Sequence, residues 1–127
     1  MIQPQTILKV IDNSGGKTAR CLKILKKGAQ PRYAKIGDII VVSIQQLRKR
    51  NRLTSKVRRG DVLRAVIVQT RSIFIRQYGL AFSFQQNAIV LLEKQGKPIA
   101  TRVLGITPKE LKIPKFSKIV SLSVGTI

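Results

Sequence analysis

The chain has no histidine, no tryptophan, a single cysteine and only five acidic residues in 127. Each shortage removes a class of chemistry. Without histidine there is no imidazole to serve as general base or to share a zinc ion, and one thiol cannot supply the missing ligands. A carboxylate cage for a divalent cation would need acids close in space, and each acid here has a local explanation instead. Asp12 opens "DNSGG", while Asp38 and Asp61 each follow a glycine and precede an apolar run, where a short carboxylate accepts hydrogen bonds from turn N–H groups. Glu93 closes one apolar run, and Glu110 lies in "TPKELK", where an acid suits the first turn of a short helix. No acid is left over for an active site, so the reading is of a protein that is not an enzyme and takes no metal or cofactor.

Other scarcities narrow the setting. The lone Cys21 alternates with apolar neighbours in "ARCLKIL", which predicts a small buried side chain, and it excludes the disulfide framework of a secreted scaffold. No apolar stretch approaches the ~20 residues of a membrane span. The start, "MIQPQTILKV", lacks both the basic and long apolar regions of a signal peptide and the Arg-rich, Ser-rich character of a transit peptide. Aromatics are few, four Phe and two Tyr. Readers of single strands need exposed stacking platforms, and only Tyr33 and Tyr78 are candidates. Hydrophobic residues at 43% nevertheless provide for one real core in one domain, residues 1–127.

What is abundant is positive charge: 25 Lys and Arg, for a net charge of +20. A compact domain with that imbalance repels itself, and a polyanion relieves the repulsion and releases its own condensed counterions. Nucleic acid is the partner this predicts. The charge concentrates in "QQLRKRNRLTSKVRRGD", residues 45–61, which holds seven basic residues and no acid between Arg48 and Arg59. Apolar segments flank it on both sides, so it reads as a loop held at both ends rather than a disordered tail. With no long basic helix in view, binding through phosphates and shape is expected, not helix-in-groove readout.

Strand-length apolar runs occur at 6–11, 19–25, 39–44, 62–69, 72–75, 80–84, 88–92 and 99–104, separated by turn residues such as "DNSGG" and "KQGKP". Many short Val- and Ile-rich strands indicate a barrel or sandwich, and this length favours a small closed barrel over about 1–104. The remaining cations are spread along the chain, from Lys9, Lys17, Arg20, Lys23, Lys26, Lys27, Arg32 and Lys35 before the loop to Arg64, Arg71, Arg76, Lys94, Lys97, Arg102, Lys109, Lys112, Lys115 and Lys118 after it. Alternation along half-buried strands sends such residues to the solvent face, where neighbouring strands can combine them into a basic stripe. Beyond residue 104 the pattern turns helical. Thr107 is a candidate N-cap, with Pro108 at the first helical position and Glu110 placed to complete a capping box. A second short helix puts Phe116, Ile119 and Val120 on one face, giving a helical segment over about 105–127.

Several blocks then carry a resemblance. "MIQPQT", "DNSGG", "RYAKIGDIIVVSI", "GDVLRAVIVQTR", "FSFQQNAIVLL", "GKPIATRVLG" and "FSKIVSLS" follow one another in an order similar to that of the universal large-subunit ribosomal protein L-fourteen family, bacterial and organellar type, from residue 1 to about 122. The family's central signature fits at "AVIV" and "FQQNAIVL", apart from Tyr78, where Asp, Asn or Ser is usual before the glycine. The resemblance implies a mainly β fold: a closed five-stranded β-barrel with a projecting basic hairpin and short C-terminal helices. It implies a structural constituent of the large subunit that contacts large-subunit rRNA and bridges to small-subunit rRNA. Neighbouring proteins of the L-three and L-nineteen families and a ribosome-silencing factor are the implied protein partners. Thr101, Arg102 and Lys118 match the silencing-factor surface.

From the loop come Arg48, Lys49, Arg50, Arg52, Lys56, Arg58 and Arg59 as rRNA-binding candidates, and from elsewhere Arg20, Lys23, Arg32 and Lys35. The loop is longer than the usual bacterial version by about four residues, and Gln45 and Gln46 stand where an acid is common. Gly16 replaces the usual Ala, Ala100 the usual Gly, and "SVGTI" the common ending. This divergent, basic version without a presequence reads as organelle-encoded and mitochondrial, with a bacterial or plastid ribosome as the alternative. The other classes compatible with the composition are a free-standing RNA or DNA chaperone and a protein lying on a membrane surface through 115–124.

Overall fold

The computed structural model of the chain describes residues 2–25, 33–49 and 55–127. Nine strands occur in them: β1 (Ile7–Val10), β2 (Gly16–Leu25), β3 (Ile39–Leu47), β4 (Val62–Gln69), β5 (Phe74–Ile75), β6 (Ala81–Phe82), β7 (Ala88–Leu92), β8 (Val103–Thr107) and β9 (Ser123–Thr126). Five of them, in the order β1-β2-β3-β4-β7, close into a barrel. All neighbours pair antiparallel except at the seam, where β1 runs parallel to β7 through Lys9↔Ala88 and Val10↔Ile89. The expected mainly β, closed five-stranded barrel is therefore the fold.

Two different burial patterns explain the strand sequences. On β2 and β3, buried Ala19, Cys21, Ile24, Ile40, Val42 and Ile44 fill the barrel, while intervening residues face outward. β7 has no exposed position, and β4 has none from Ala65 onward. Ala65, Ile67, Ile89 and Leu91 point into the barrel. Val66, Val68, Ala88, Val90 and Leu92 point out into a second cluster with Val103, Leu111, Phe116 and Ile119. A strand covered on both sides can be apolar at every position, and that is why "AVIV" and "AIVLL" do not alternate.

The cover is the C-terminal segment, and here the sequence-based expectation needs correction. The strand expected at 99–104 forms instead at Val103–Thr107. The first expected helix is a three-residue 3₁₀ turn, Lys109–Leu111, and Pro108 rather than Thr107 occupies its N-cap, with no side-chain cap. Thr107 belongs to β8, and its hydroxyl faces the Ser123 hydroxyl at 3.2 Å. Glu110 does not complete the capping box, and Arg76 holds its carboxylate instead: Nε donates to Oε1 at 2.6 Å and a terminal nitrogen to Oε2 at 3.4 Å. A two-pronged contact with a guanidinium is stronger than a neutral cap, so the capping box loses the competition. The second expected helix is real but short: α1 (Ser117–Leu122) leads directly into β9, which pairs parallel with β8. Six residues cannot hold a helix alone. Burial of Phe116 and Ile119, about 1.5–3 kcal/mol each, fixes it against the barrel.

Arg76 also joins the β5–β6 hairpin to this layer. Its guanidinium lies 4.5 Å from the Phe82 ring centroid and donates to the Ile127 oxygen at 2.7 Å. Phe82 in turn packs against Phe74 and Phe84, with centroids 5.4 and 5.7 Å away. These rings contact one another within the hairpin region.

The repeated Gly-Asp turns share one geometry. Gly37 and Gly60 have φ of 90° and 88°. Asp38 accepts from the Lys35 N–H and Asp61 from the Arg58 N–H, each at 2.8 Å, before the chain enters β3 and β4 respectively. At the seam, Asp12 is fully buried: one oxygen accepts from the Leu91 N–H at 2.9 Å, the other from the Ser14 N–H at 3.1 Å and from the Ser14 hydroxyl. Burial lifts its carboxyl above the ordinary 3.8, against the opposing pull of those hydrogen bonds and the Arg48 charge.

Two outcomes are expected. Asp12→Asn leaves a buried N–H facing an amide nitrogen, and urea unfolding at neutral pH should show a loss of about 1–3 kcal/mol. At Glu110, desolvation pushes the pKa up, but the Arg76 hydrogen bonds and charge, its own backbone N–H and Lys109 together hold it below the ordinary 4.5. Its contribution to stability is present above pH 4.5 and is lost as pH falls through the lowered folded-state value. The stability gap between wild type and Glu110→Gln should accordingly be widest near neutrality and close in acid.

Candidate nucleic-acid interface

The "DNSGG" turn organises the surface around the basic loop. On one side it carries the loop's flanks: the Arg48 N–H donates to the Gly15 oxygen and the Lys56 N–H to the Ser14 oxygen, both at 2.9 Å. On the other it holds residues 101–102, since Asn13 Oδ1 accepts from the Thr101 and Arg102 N–H groups at 3.0 and 3.1 Å, and Asn13 Nδ2 donates to the Thr101 hydroxyl at 2.9 Å. Gly15 makes the close approach possible. Its φ is +104°, and a Cβ there would lie 2.3 Å from the Ser55 Cβ. Gly16 is different, because a Cβ would meet Val10 at an ordinary 3.5 Å.

The loop candidates separate into distinct roles. Arg48 turns inward, a guanidinium nitrogen donating to the Val10 oxygen at 3.2 Å, and Lys56 Nζ donates to the Ile99 oxygen at 3.3 Å. Both brace the loop against the barrel. Lys49 and Arg59 stay exposed and line a cleft of about 550 Å³ with Lys17, Gln45, Gln46 and Leu47. Arg58 is exposed at the turn whose N–H binds Asp61. Arg50, Arg52 and Arg32 lie outside the described residues.

A second cleft, of about 380 Å³, adjoins the first through Lys17 and is lined also by Lys9, Thr18, Arg71, Gln85, Gln86 and Asn87. Strand register puts these positions in a row: Gln46 pairs with Thr18, Thr18 with Lys9, and Lys9 with Ala88. The register shifts on either side of Thr18, and this irregularity lets Lys17 and Thr18 both reach the outside. Sequence reading placed Lys9, Lys17 and Arg71 among the cations spread along the strands and turns but not among the rRNA-binding candidates. The sequence signal for Lys17 is its place just after the Gly-Gly turn on which the basic loop rests.

Arg20 and Lys23 are exposed on β2, Arg20 between Ile7 and Ser43 on the neighbouring strands. Lys35 is on a different part of the surface, beside Ile36, Ser72 and Ile73. Of the protein-interface candidates, Thr101 and Arg102 are exposed just before β8, and Lys118 is exposed in the first turn of α1.

Among the described residues no group of three or more His, Cys, Asp and Glu could hold a metal ion. Cys21 is inside the barrel, and burial pushes its thiol up. No described helix is long and apolar enough to cross a membrane.

The described residues thus form a small closed barrel with a buttressed basic loop and a cationic flank. The family model for ribosomal protein L14p/L23e matches residues 1–127, and the chain belongs to that family. It is thus a structural ribosomal protein of the large subunit, in a family that is not enzymatic, and its place is the ribosome.

The Gly15 contact is open to a direct comparison. Gly15→Ala should destabilise the fold by more than about 1 kcal/mol, on the order of backbone strain plus displacement of Ser55. Gly16→Ala should unfold within about 0.5 kcal/mol of wild type. Paired thermal and urea melts measure both.

Proposed function

We propose that this protein binds large-subunit rRNA through phosphates, using the double cleft centred on Lys17 together with the basic loop. The observation that supports the reading is that four of the five acids accept hydrogen bonds from the protein itself while the cleft cations have no acidic partner among the described residues. Asp12, Asp38, Asp61 and Glu110 all accept hydrogen bonds from protein groups. Lys17, Lys49 and Arg59 have no acidic partner among the described residues, so their charge faces outward uncompensated. Arg50 and Arg52 extend the same basic run, Arg58 borders it, and Arg20 and Lys23 continue it on β2. Lys35 makes a further phosphate contact away from the clefts, and Arg32, outside the described residues, is a further candidate from the sequence.

The finer reading follows from family membership and the same surface. The protein contributes to the intersubunit bridge region and meets small-subunit rRNA there. It neighbours proteins of the L-three and L-nineteen families, and Thr101, Arg102 and Lys118 receive a ribosome-silencing factor. The ribosome concerned is mitochondrial. As a domain the chain works as one piece, with the C-terminal segment as cover to the barrel.

Tagged protein should co-sediment with large subunits after a high-salt wash; free release would favour a free-standing RNA chaperone. Replacing Lys17, Lys49 and Arg59 together by Ala should flatten the slope of log K against log salt by roughly 2–3, at about 0.7–0.9 for each phosphate no longer neutralised. An unchanged slope would move the phosphate-binding surface elsewhere.

A further inference from the structure

Charge attracts any nucleic acid, and the cleft contains something else. Amide side chains interleave with the cations: Gln45 and Gln46 on one side of Lys17, and Gln85, Gln86 and Asn87 on the other. Three of these are engaged. Gln45 reaches the Ser43 oxygens at 3.4 and 3.5 Å, Gln86 donates to Gln69 at 3.2 Å, and Asn87 Oδ1 accepts from the Arg71 N–H at 2.9 Å. Gln46 and Gln85 are exposed and make no side-chain hydrogen bond among the described residues.

Resting on the rRNA-binding reading above, we infer that Gln46 and Gln85 read the ribose 2′-hydroxyls in the minor groove of an A-form RNA duplex while Lys17, Lys49, Arg59 and Arg71 hold its phosphates. An amide offers a donor and an acceptor on one rigid group, and the 2′-hydroxyl needs both. The minor groove of A-form RNA is wide and shallow and displays those hydroxyls, whereas its major groove is too narrow for side chains. The surface matches: the row Gln46, Thr18, Lys9 crosses three adjacent strands, a span of about 10 Å at the usual strand spacing, and presents polar side chains along it. Stacking is not provided for, since neither cleft is lined by an aromatic residue. Single strands are therefore disfavoured as the ligand.

The test titrates the full-length chain with a short blunt RNA duplex, the DNA duplex of the same sequence, the same RNA duplex carrying 2′-O-methyl groups, and single-stranded RNA. The RNA duplex should bind about tenfold more tightly than the DNA duplex, the worth of two ribose hydrogen bonds. Methylation should remove most of that preference. In Gln46→Ala/Gln85→Ala the RNA-to-DNA ratio should approach one while the salt slope stays that of wild type. Lys17→Ala should weaken both duplexes alike. Both glutamines are exposed and unbonded, so an unchanged urea midpoint shows that the double variant is folded. Equal binding of RNA and DNA duplexes by wild type, a preference for single strands, or an undiminished ratio in the double variant overturns the inference. Large-subunit co-sedimentation is the separate readout of the rRNA-binding reading, so the two can fail independently.

Discussion

One buried carboxylate holds together what the rest of the molecule needs. A parallel seam gives few hydrogen bonds, and β1 meets β7 over only two paired residues. Asp12, just past the end of β1, adds a charged acceptor for the Leu91 N–H on β7 and turns its other oxygen to Ser14. The seam and the following turn are thereby fixed by the same group. The loop flanks then hang from Ser14 and Gly15, and residues 101–102 from Asn13. Removing an acid from solvent costs several kcal/mol, which an isolated turn would not repay. Here three donors meet it, and the turn that results is the platform for the basic surface.

The barrel's asymmetry follows from which face is left to water. From Ala65 onward β4, and all of β7, are sandwiched between the barrel interior and the C-terminal layer, so the outer faces that carry charge are on β1, β2 and β3 and at the start of β4, where Arg64 is exposed. Lys9, Lys17, Arg20 and Lys23 are there, adjacent to the loop that leaves β3. The apolar cover on one side and the cationic face on the other are two results of one burial pattern.

Much of this was legible in the residues. Alternation located β2 and β3, unbroken apolar runs located β4 and β7, and Gly-Asp marked two turns of the same geometry. What local pattern could not see was competition from afar. Thr107-Pro108 with Glu110 is a sound capping signal, yet Arg76, 34 residues away, takes the carboxylate and the helix shrinks to one turn. Arg48 and Lys56 look like their basic neighbours, but the hydrogen bonds that hold the loop flanks to Gly15 and Ser14 set them within reach of the backbone carbonyls at Val10 and Ile99. Lys17 emerged only because the register shifts around Thr18 expose it, and a bulge has no composition signal of its own.

The division of labour among the loop cations has a physical rationale. A lysine or arginine at a flexible tip gains from a phosphate but loses its own rotamer freedom, and the chain beneath it loses conformational entropy as well. Anchoring Arg48 and Lys56 to barrel carbonyls places that ordering in the folding of the protein rather than in its encounter with RNA. Lys49 and Arg59, which lie next to the anchored flanks, would then meet a polyanion from a fixed base under the proposed function. A chain with net charge +20 resists compaction by self-repulsion, and directing some cations to backbone oxygens lowers that resistance without adding acids that would repel the ligand. The scarcity of carboxylates in this sequence is thus compatible with a rigid surface, because carbonyl oxygens take the place that acids would otherwise fill.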